Sequence, residues 1–319
     1  MPRTYLVTGA LGCIGAWVTK TLVDRGDHVV VADVGTDRHR LHAVIEADGL
    51  SRVTYDAVDI TCSDEVRRAI DQSGASRVIH LAGLQVPACK ADPAGGSMVN
   101  VVGTINVFQA AADSGCERVA YASSAAVYGT VDGDAPDESR PGTPETHYGV
   151  FKQANEGSAR IFHSERDLDS VGIRPLTVYG VGRDQGLTSD PTRAMKAAVV
   201  GRPFAIGFSG TTDYQYVADT AAAFVTCVDR AAPGAHVYNL HGTSLHMADV
   251  VAMIRELRPS AQIGFAGPTI PIPPALDGAA ICAAFPDLPS TPLDVGVRQT
   301  VDRFQLLSEE GRLQTHDLD

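Results

Sequence analysis

A tyrosine and a lysine four residues apart, Tyr148 and Lys152, form the pair whose types and spacing most directly suggest chemistry. On a helix, residues i and i+4 share a face, which places the ammonium beside the phenol. A free phenol has a pKa near 10, so ionising half of it at pH 7 requires roughly 4 kcal/mol of stabilisation of the phenolate. Nearby positive charge provides such stabilisation. The pair predicts a general base, although the same spacing also arises by chance on helix surfaces.

Two serines precede this pair at the end of a predicted strand. Ser123 and Ser124 close the stretch "RVAYASS", which is rich in strand-forming residues. A hydroxyl at that position could hold the substrate oxygen that loses its proton to the tyrosine. Serines at strand ends also form turns without any catalytic role. The two serines alone therefore do not decide between a catalytic role and a turn, and the neighbouring motifs are needed.

A glycine-rich turn lies near the start of the chain, in "TYLVTGALGCIG". Gly9, Gly12 and Gly15 stand between a predicted strand and a predicted helix. A side chain there would keep the backbone away from a pyrophosphate, whose charge the helix N-terminus favours. The turn predicts a dinucleotide site, although glycine-rich turns without a ligand are also common.

Asp33 ends the next predicted strand, "HVVVAD". A carboxylate at this position accepts hydrogen bonds from both hydroxyls of an adenosine ribose and repels a phosphate on the 2′ position. The sequence therefore predicts NAD as the cofactor. Arg38 and Arg40 follow closely enough to leave NADP open.

The first half of the chain alternates β-branched runs with helical patterns, which indicates βαβ units and a parallel sheet. The predicted fold is α/β, a Rossmann-type doubly wound parallel sheet with a smaller C-terminal substrate-binding cap. We assign residues 1–175 to the NAD-binding domain and 176–319 mainly to the cap, with segments near 213–240 returning to the first domain. Two further strand ends place small or acidic residues at the ligand-binding edge of the sheet; they are Asp59, Ile60, Leu81, Ala82 and Gly83.

Composition excludes several classes of function. A net charge of −12 opposes a nucleic-acid partner, because such binding rests on Lys and Arg contacts to phosphates. No apolar run is long enough for a membrane span, and the start lacks the regions of a signal peptide, so we expect a cytoplasmic protein beginning near Met1. The cysteines are far apart and predict neither disulfides nor a metal site; they are Cys13, Cys62, Cys89, Cys116, Cys227 and Cys282.

Taken together, these motifs resemble the extended short-chain dehydrogenase/reductases of the NAD-dependent epimerase/dehydratase family. The matching stretches are "TGALGCIG", Asp33, "DI" at 59–60, "HLAG", "VNVVGTINV", "SSAAVYG", "YGVFK", "IRPLTVYG" and "DYQYVADTA". The resemblance implies a catalytic trio of Ser124, Tyr148 and Lys152, with Asn100 in a structural role on its helix. It also implies a set of residues around NAD: Gly9, Gly12, Cys13, Ile14, Gly15, Asp33, Asp59, Ile60, Leu81, Ala82, Gly83, Asn100, Ser123, Tyr148, Lys152, Pro175 and Val178.

Within this family the trio leaves the net reaction open between dehydrogenase and epimerase. A dehydratase is disfavoured because Ala125 and Ala126 follow Ser124, where such enzymes carry an added acid/base pair. Relatives acting on nucleotide sugars usually have an arginine before the aspartate in "TTDYQYV", and Thr212 stands there.

Few cations remain for a diphosphate, although Arg183, Arg193 or Arg298 could serve. We therefore expect a free sugar, sugar acid or lactone, contacted by residues among Gln85, Ser124, His147, Thr188, Ser189 and Tyr216.

The sequence leaves three functions open. The first is an NAD-dependent oxidoreductase acting on a secondary alcohol of a sugar-like molecule, and its alternative is a nucleotide-sugar 4-epimerase. A more distant alternative is a protein that senses NAD without turnover. By analogy with the family, helices near 97–114 and 146–166 imply a homodimer.

Overall fold

The computed structural model describes residues 2–319. Met1, where the sequence analysis places the start of the protein, lies outside the described residues. The strands are β1 (Thr4–Thr8), β2 (His28–Asp33), β3 (Val53–Ala57), β4 (Arg77–His80), β5 (Arg118–Ala122), β6 (Ser170–Arg174), β7 (Thr177–Tyr179), β8 (Phe204–Ile206), β9 (Thr211–Tyr216), β10 (Ala235–Asn239), β11 (Thr243–His246) and β12 (Ile263–Phe265).

The helices are α1 (Cys13–Asp24), α2 (His39–Val44), α3 (Ser63–Ser73), α4 (Val86–Ala91), α5 (Pro93–Ser97), α6 (Gly103–Asp113), α7 (His147–Arg166), α8 (Asp190–Val200), α9 (Val217–Arg230), α10 (Met247–Leu257), α11 (Ala279–Ala284) and α12 (Leu293–Glu309). A π-helical segment, Met98–Val102, joins α5 to α6. No helix within residues 2–319 combines the length and the hydropathy needed to cross a bilayer, and the cytoplasmic location stays a prediction.

Seven parallel strands form the main sheet in the order β10-β6-β5-β4-β1-β2-β3. The order reverses between β1 and β4, the position at which open α/β sheets bind ligands. Both faces of the sheet are covered: Tyr5 and Val7 of β1 belong to one apolar core, and Leu6 between them belongs to the other. The predicted Rossmann-type fold is confirmed.

The later part of the chain adds two small sheets, one in the order β11-β9-β7 and one pairing β12 with β8. In contrast, β10 rejoins the main sheet beside β6. The chain thus crosses between the two regions more than once, and the division at residue 175 stays a prediction.

Two local expectations need correction. The helix predicted near 97–114 begins earlier, at Pro93, because the Asp92 side chain caps it by accepting a hydrogen bond from the Gly95 amide. The polarity of the C-terminal stretch "SEEGRLQTHDLD" predicts that it frays, but it is held in place. Both Asp317 carboxylate oxygens accept hydrogen bonds from Lys196, at 2.8 and 2.9 Å. This ion pair is buried, so it fixes the last residues against α8.

Candidate active site

A cavity of about 890 Å³ opens at the carboxyl ends of the parallel strands. It is lined by all of the predicted cofactor residues except Asn100. Those that line it are Gly9, Gly12, Cys13, Ile14, Gly15, Asp33, Asp59, Ile60, Leu81, Ala82, Gly83, Ser123, Tyr148, Lys152, Pro175 and Val178. Residues from six strand ends therefore meet in one space, as a dinucleotide site requires.

The glycine turn admits no side chains at its two ends. Gly9 has φ of +65°, and a Cβ there would lie 2.4 Å from the Ala82 amide nitrogen. A Cβ on Gly15 would lie 2.3 Å from the Gly9 carbonyl oxygen. The backbone is thus packed closely against β4 at the N-terminus of α1, where amide groups and the helix dipole favour an anion. This geometry fits the pyrophosphate of NAD.

Asp33 is oriented by backbone amides on both sides of its strand end. Its carboxylate accepts hydrogen bonds from the Leu11 amide at 3.0 Å and from the Gly35 amide at 2.9 Å. Held in this way at the rim of the cavity, it can receive the two ribose hydroxyls.

Arg38 and Arg40, which could have bound the 2′-phosphate of NADP, have other partners within the protein. Arg40 donates to Asp184 at 2.6 Å and to the Leu11 carbonyl at 2.9 Å. The Arg38 guanidinium lies 3.5 Å from the centre of the Tyr55 ring. The arrangement therefore fits NAD, whose 2′-hydroxyl is free.

The catalytic trio lies on two adjacent elements. Ser124 precedes a short 3₁₀ turn, and its hydroxyl accepts a hydrogen bond from the Ala126 amide at 3.1 Å. Tyr148 is in the first turn of α7, which Thr146 caps by accepting from the Gly149 amide at 3.1 Å. Burial raises the pKa of Tyr148, and the Ser124 hydroxyl and the Arg183 guanidinium act in the opposite direction. The phenol thus needs further positive charge to ionise.

Lys152 supplies part of that charge from a buried position. Its ammonium donates to the Ala122 carbonyl at 2.7 Å and lies 5.5 Å from the centre of the Tyr148 ring. Burial lowers the pKa of Lys152 to about 8. The lysine therefore stays mostly protonated at pH 7, and its charge is unscreened by water beside the phenol.

Asn100 is the one predicted cofactor residue that does not line the cavity. Its side-chain amide is engaged on both sides by Leu84: its oxygen accepts from the Leu84 amide and its nitrogen donates to the Leu84 carbonyl, each at 3.0 Å. Asn155 in turn donates to the Asn100 carbonyl at 2.9 Å. Through these hydrogen bonds Asn100 holds the loop after β4 in place, in agreement with a structural role.

Sequence reasoning missed a buried polar network behind the serines. Ser123 donates to Glu156 at 2.5 Å, and Glu156 pairs with Arg174 through two bonds of 2.7 Å. Arg174 also donates to the Tyr128 hydroxyl, which donates to Asn239 at 2.9 Å. The position of Glu156, four residues after Lys152 on the same helix face, was the available signal.

The candidate substrate residues divide into two groups. Gln85, Ser124 and Thr188 line the cavity. His147, Ser189 and Tyr216 do not line it.

His147 is exposed, and its ring stacks on Phe151. Ser189 is buried and donates to the Gly186 carbonyl of its own turn at 2.9 Å. Tyr216 packs in the core against Tyr179, with ring centres 5.5 Å apart.

The cations considered for a diphosphate also divide. Arg183 lines the cavity. Arg193 donates to the Asp190 carboxylate at 2.9 Å and to the Asp317 carbonyl at 2.7 Å, and Arg298 is exposed outside the cavity lining. Thr212 is buried, 2.7 Å from the Thr177 hydroxyl oxygen.

Comparison with known proteins agrees with this geometry. The model of the NAD dependent epimerase/dehydratase family matches residues 5–240. The UDP-glucose 4-epimerase of Mycolicibacterium smegmatis is 32% identical over 228 residues, which cover 69% of this chain and 71% of that protein. The NAD-dependent glucose-6-phosphate dehydrogenase of Haloferax volcanii is 33% identical over 188 residues, covering 54% of this chain and 68% of that one.

A solved structure extends the likeness to nearly the whole chain. The UDP-glucose 4-epimerase of Thermus thermophilus, in complex with NAD, superposes with a TM-score of 0.83 at 25% identity, covering 95% of this chain and 99% of that chain. The glycine turn, the oriented Asp33 and the trio at one cavity are the features that such an enzyme needs. The chain belongs to the NAD-dependent epimerase/dehydratase family and is an NAD-dependent enzyme.

Proposed function

We propose that the protein is a nucleotide-sugar 4-epimerase acting on a UDP-hexose. The observation that carries the proposal is the convergence of Ser124, Tyr148 and Lys152 on the cavity that fits NAD. Similarity to UDP-glucose 4-epimerases over most of the chain, including the C-terminal part, supports the choice of substrate. This order reverses the one favoured by the sequence, in which the small-sugar oxidoreductase came first.

The roles of the trio follow from its geometry. Tyr148 takes the proton from the substrate hydroxyl, because the Ser124 hydroxyl acts on the phenol and a buried ammonium lies beside its ring. Ser124 holds the same substrate oxygen as it becomes a carbonyl. NAD, when bound, supplies the hydride acceptor and the positive charge of its oxidised ring.

Lys152 has two functions in this arrangement. Its buried ammonium, 5.5 Å from the centre of the Tyr148 ring, stabilises the phenolate. Its bond to the Ala122 carbonyl fixes the charge at the end of β5, so that the field on Tyr148 does not depend on a flexible side chain.

A second candidate is net oxidation of a small acidic or polyhydroxylated sugar. The observation that favours it is the shortage of free cations: Arg193 is engaged by Asp190 and Asp317, and Thr212 is buried against Thr177. A diphosphate is usually bound by charge-assisted hydrogen bonds from several cations. A smaller anion would need fewer.

Incubation of the NAD-loaded protein with UDP-glucose separates the two candidates. For the epimerase we expect UDP-galactose by anion-exchange chromatography and no accumulation of NADH absorbance. NADH accumulation with a uronic acid, an aldonic acid or a free sugar, and no UDP-galactose, would reject the epimerase and support the second candidate.

We also propose that the protein is a homodimer. Large apolar side chains are exposed on the π-helical segment, on α6 and along α7: Met98, Ile105, Val150 and Ile161. Val150 and Ile161 are about three turns apart and share a face of α7. Sedimentation analysis of Ile161→Glu should give a monomer, and the matched change Val295→Glu on α12 should not; a monomeric wild type would reject the dimer.

A further inference from the structure

Arg183 carries a charge that the protein leaves without a carboxylate partner. Within residues 2–319 its one side-chain hydrogen bond goes from Nη2 to the Thr188 hydroxyl at 3.2 Å, and its buried Nε has no partner. The adjacent Asp184 is turned away and pairs with Arg40 and His39. Arg183 is half-buried and lines the cavity. Because charges removed from water are ordinarily paired, its guanidinium is available for an anion that the chain does not provide.

The surroundings of Arg183 form a small polar cluster in the cavity wall. Gly186, with φ of +102°, brings the loop before α8 against Gln85: a Cβ on Gly186 would lie 1.7 Å from the Gln85 Oε1 and 3.2 Å from the Arg183 Nη2. The amide of Gln85 and the fork of Arg183 are thus neighbours. Thr188 beside them is buried.

The cluster lies close to the reacting centre. Gln85, Arg183 and Thr188 line the same cavity as Tyr148. The Arg183 guanidinium also acts to lower the pKa of Tyr148, against the larger effect of burial. An anion bound by Arg183 would therefore occupy the same cavity as the hydroxyl that Tyr148 deprotonates.

We propose that Arg183, Gln85 and Thr188 form a subsite for an anionic group of the substrate, a carboxylate or a phosphate. The planar fork of an arginine matches two oxygens of either group, and the Gln85 amide and the Thr188 hydroxyl add neutral hydrogen bonds. The inference rests on the proposed sugar substrate. It names the group by which that substrate is selected: the diphosphate of a nucleotide sugar, or an acidic group on a free sugar.

The pyrophosphate of NAD is the competing ligand. Arg183 is near the glycine turn, since its charge acts to lower the pKa of Cys13, which burial raises to about 12. Gln85 and Thr188, however, belong to the loop after β4 and the loop before α8 and not to the glycine turn. A three-residue cluster outside that turn favours the substrate over the cofactor.

The test is calorimetric titration of the NAD-saturated protein with UDP-glucose, UDP, glucuronate, glucose 6-phosphate and neutral glucose. We expect at least one anion to bind the wild type more tightly than glucose. Arg183→Met should weaken that binding by about tenfold to a hundredfold, the effect expected for a charge-assisted hydrogen-bonded pair. Arg183→Lys should bind the anion with an affinity between those of the wild type and Arg183→Met, because lysine keeps the charge and lacks the planar fork. The control Arg298→Met, at an exposed position, should bind the anion like the wild type.

Each outcome decides a different point. Loss of UDP binding in Arg183→Met identifies the diphosphate, and loss of glucuronate or glucose 6-phosphate binding identifies an acidic sugar. A tenfold loss of NAD affinity with anion binding unchanged would overturn the inference, as would a wild type that binds none of the anions. Arg183-dependent binding of UDP-glucose without epimerisation would reject the proposed function and leave the subsite intact.

Discussion

Removal of the buried ammonium by Lys152→Met should change how the stability of the cofactor-free protein depends on pH. The Lys152 pKa falls from the ordinary 10.5 to about 8 because the charged form is buried. At about 1.36 kcal/mol per pKa unit, this difference costs the native state about 3 kcal/mol when the lysine is charged. The methionine variant does not bear this cost.

The sign follows from proton binding. Above the folded pKa the native lysine loses its proton while the unfolded chain keeps it until about pH 10.5. Unfolding then takes up a proton, so this group makes the wild type more stable as pH rises. Between about pH 7 and about pH 10 the free energy of unfolding of the wild type should rise by about 2–3 kcal/mol relative to that of Lys152→Met, which is most of the expected effect.

Urea unfolding of both proteins without NAD, at intervals across this range, measures the difference directly. Lys90→Met, which removes an exposed lysine, is the control and should show a much smaller change because its ammonium is already in water. A wild-type minus Lys152→Met difference that stays flat across the range would refute the assignment of Lys152 as a buried cation.

Three further outcomes are expected. Tyr148→Phe should lower kcat by roughly 10²–10⁴-fold while NAD affinity is kept, because the lost phenol moves a proton; steady-state rates and calorimetry check both, and a rate above about a tenth of wild type would exclude the base. Asp33→Ser should weaken NAD and strengthen NADP binding in calorimetric titrations, because the carboxylate no longer receives the ribose diol or repels a phosphate; a variant that still prefers NAD strongly would argue against the role of Asp33. Glu156→Gln should destabilise the protein by about 3–5 kcal/mol, because Arg174 is left buried without its countercharge; urea unfolding beside the exposed Glu165→Gln tests this, and equal stabilities would contradict it.

The predicted cofactor residues could be brought to one cavity from the sequence because their signals are local. The glycines lie within one turn, Asp33 ends its strand, and Asp59 and Ala82 each follow a strand by two residues. Parallel strands bring such ends to one edge regardless of the loops between them. Tyr148 and Lys152 are likewise one helical turn apart.

The substrate side depends on pairing between distant residues, which no local pattern reveals. Arg40 is engaged by Asp184, 144 positions later, and only that pairing leaves Arg183 without a partner. Tyr216 was placed in the site from its motif, but the alternation of β9 turns Tyr214 and Tyr216 into the core. The C-terminus was expected to fray because its polarity gives no sign of the buried Lys196–Asp317 pair.

In the proposed epimerisation, Tyr148 takes the proton of the substrate hydroxyl, and bound NAD would supply the hydride acceptance and return at the same sugar carbon. UDP-glucose carrying deuterium at C4, incubated in ordinary water with the NAD-loaded enzyme, tests it most directly. We predict UDP-galactose that retains deuterium at C4 by mass spectrometry and NMR, and initial rates roughly 10²–10⁴-fold lower with Tyr148→Phe. Loss of the label to solvent would contradict hydride transfer, and the absence of UDP-galactose would contradict epimerisation of this substrate.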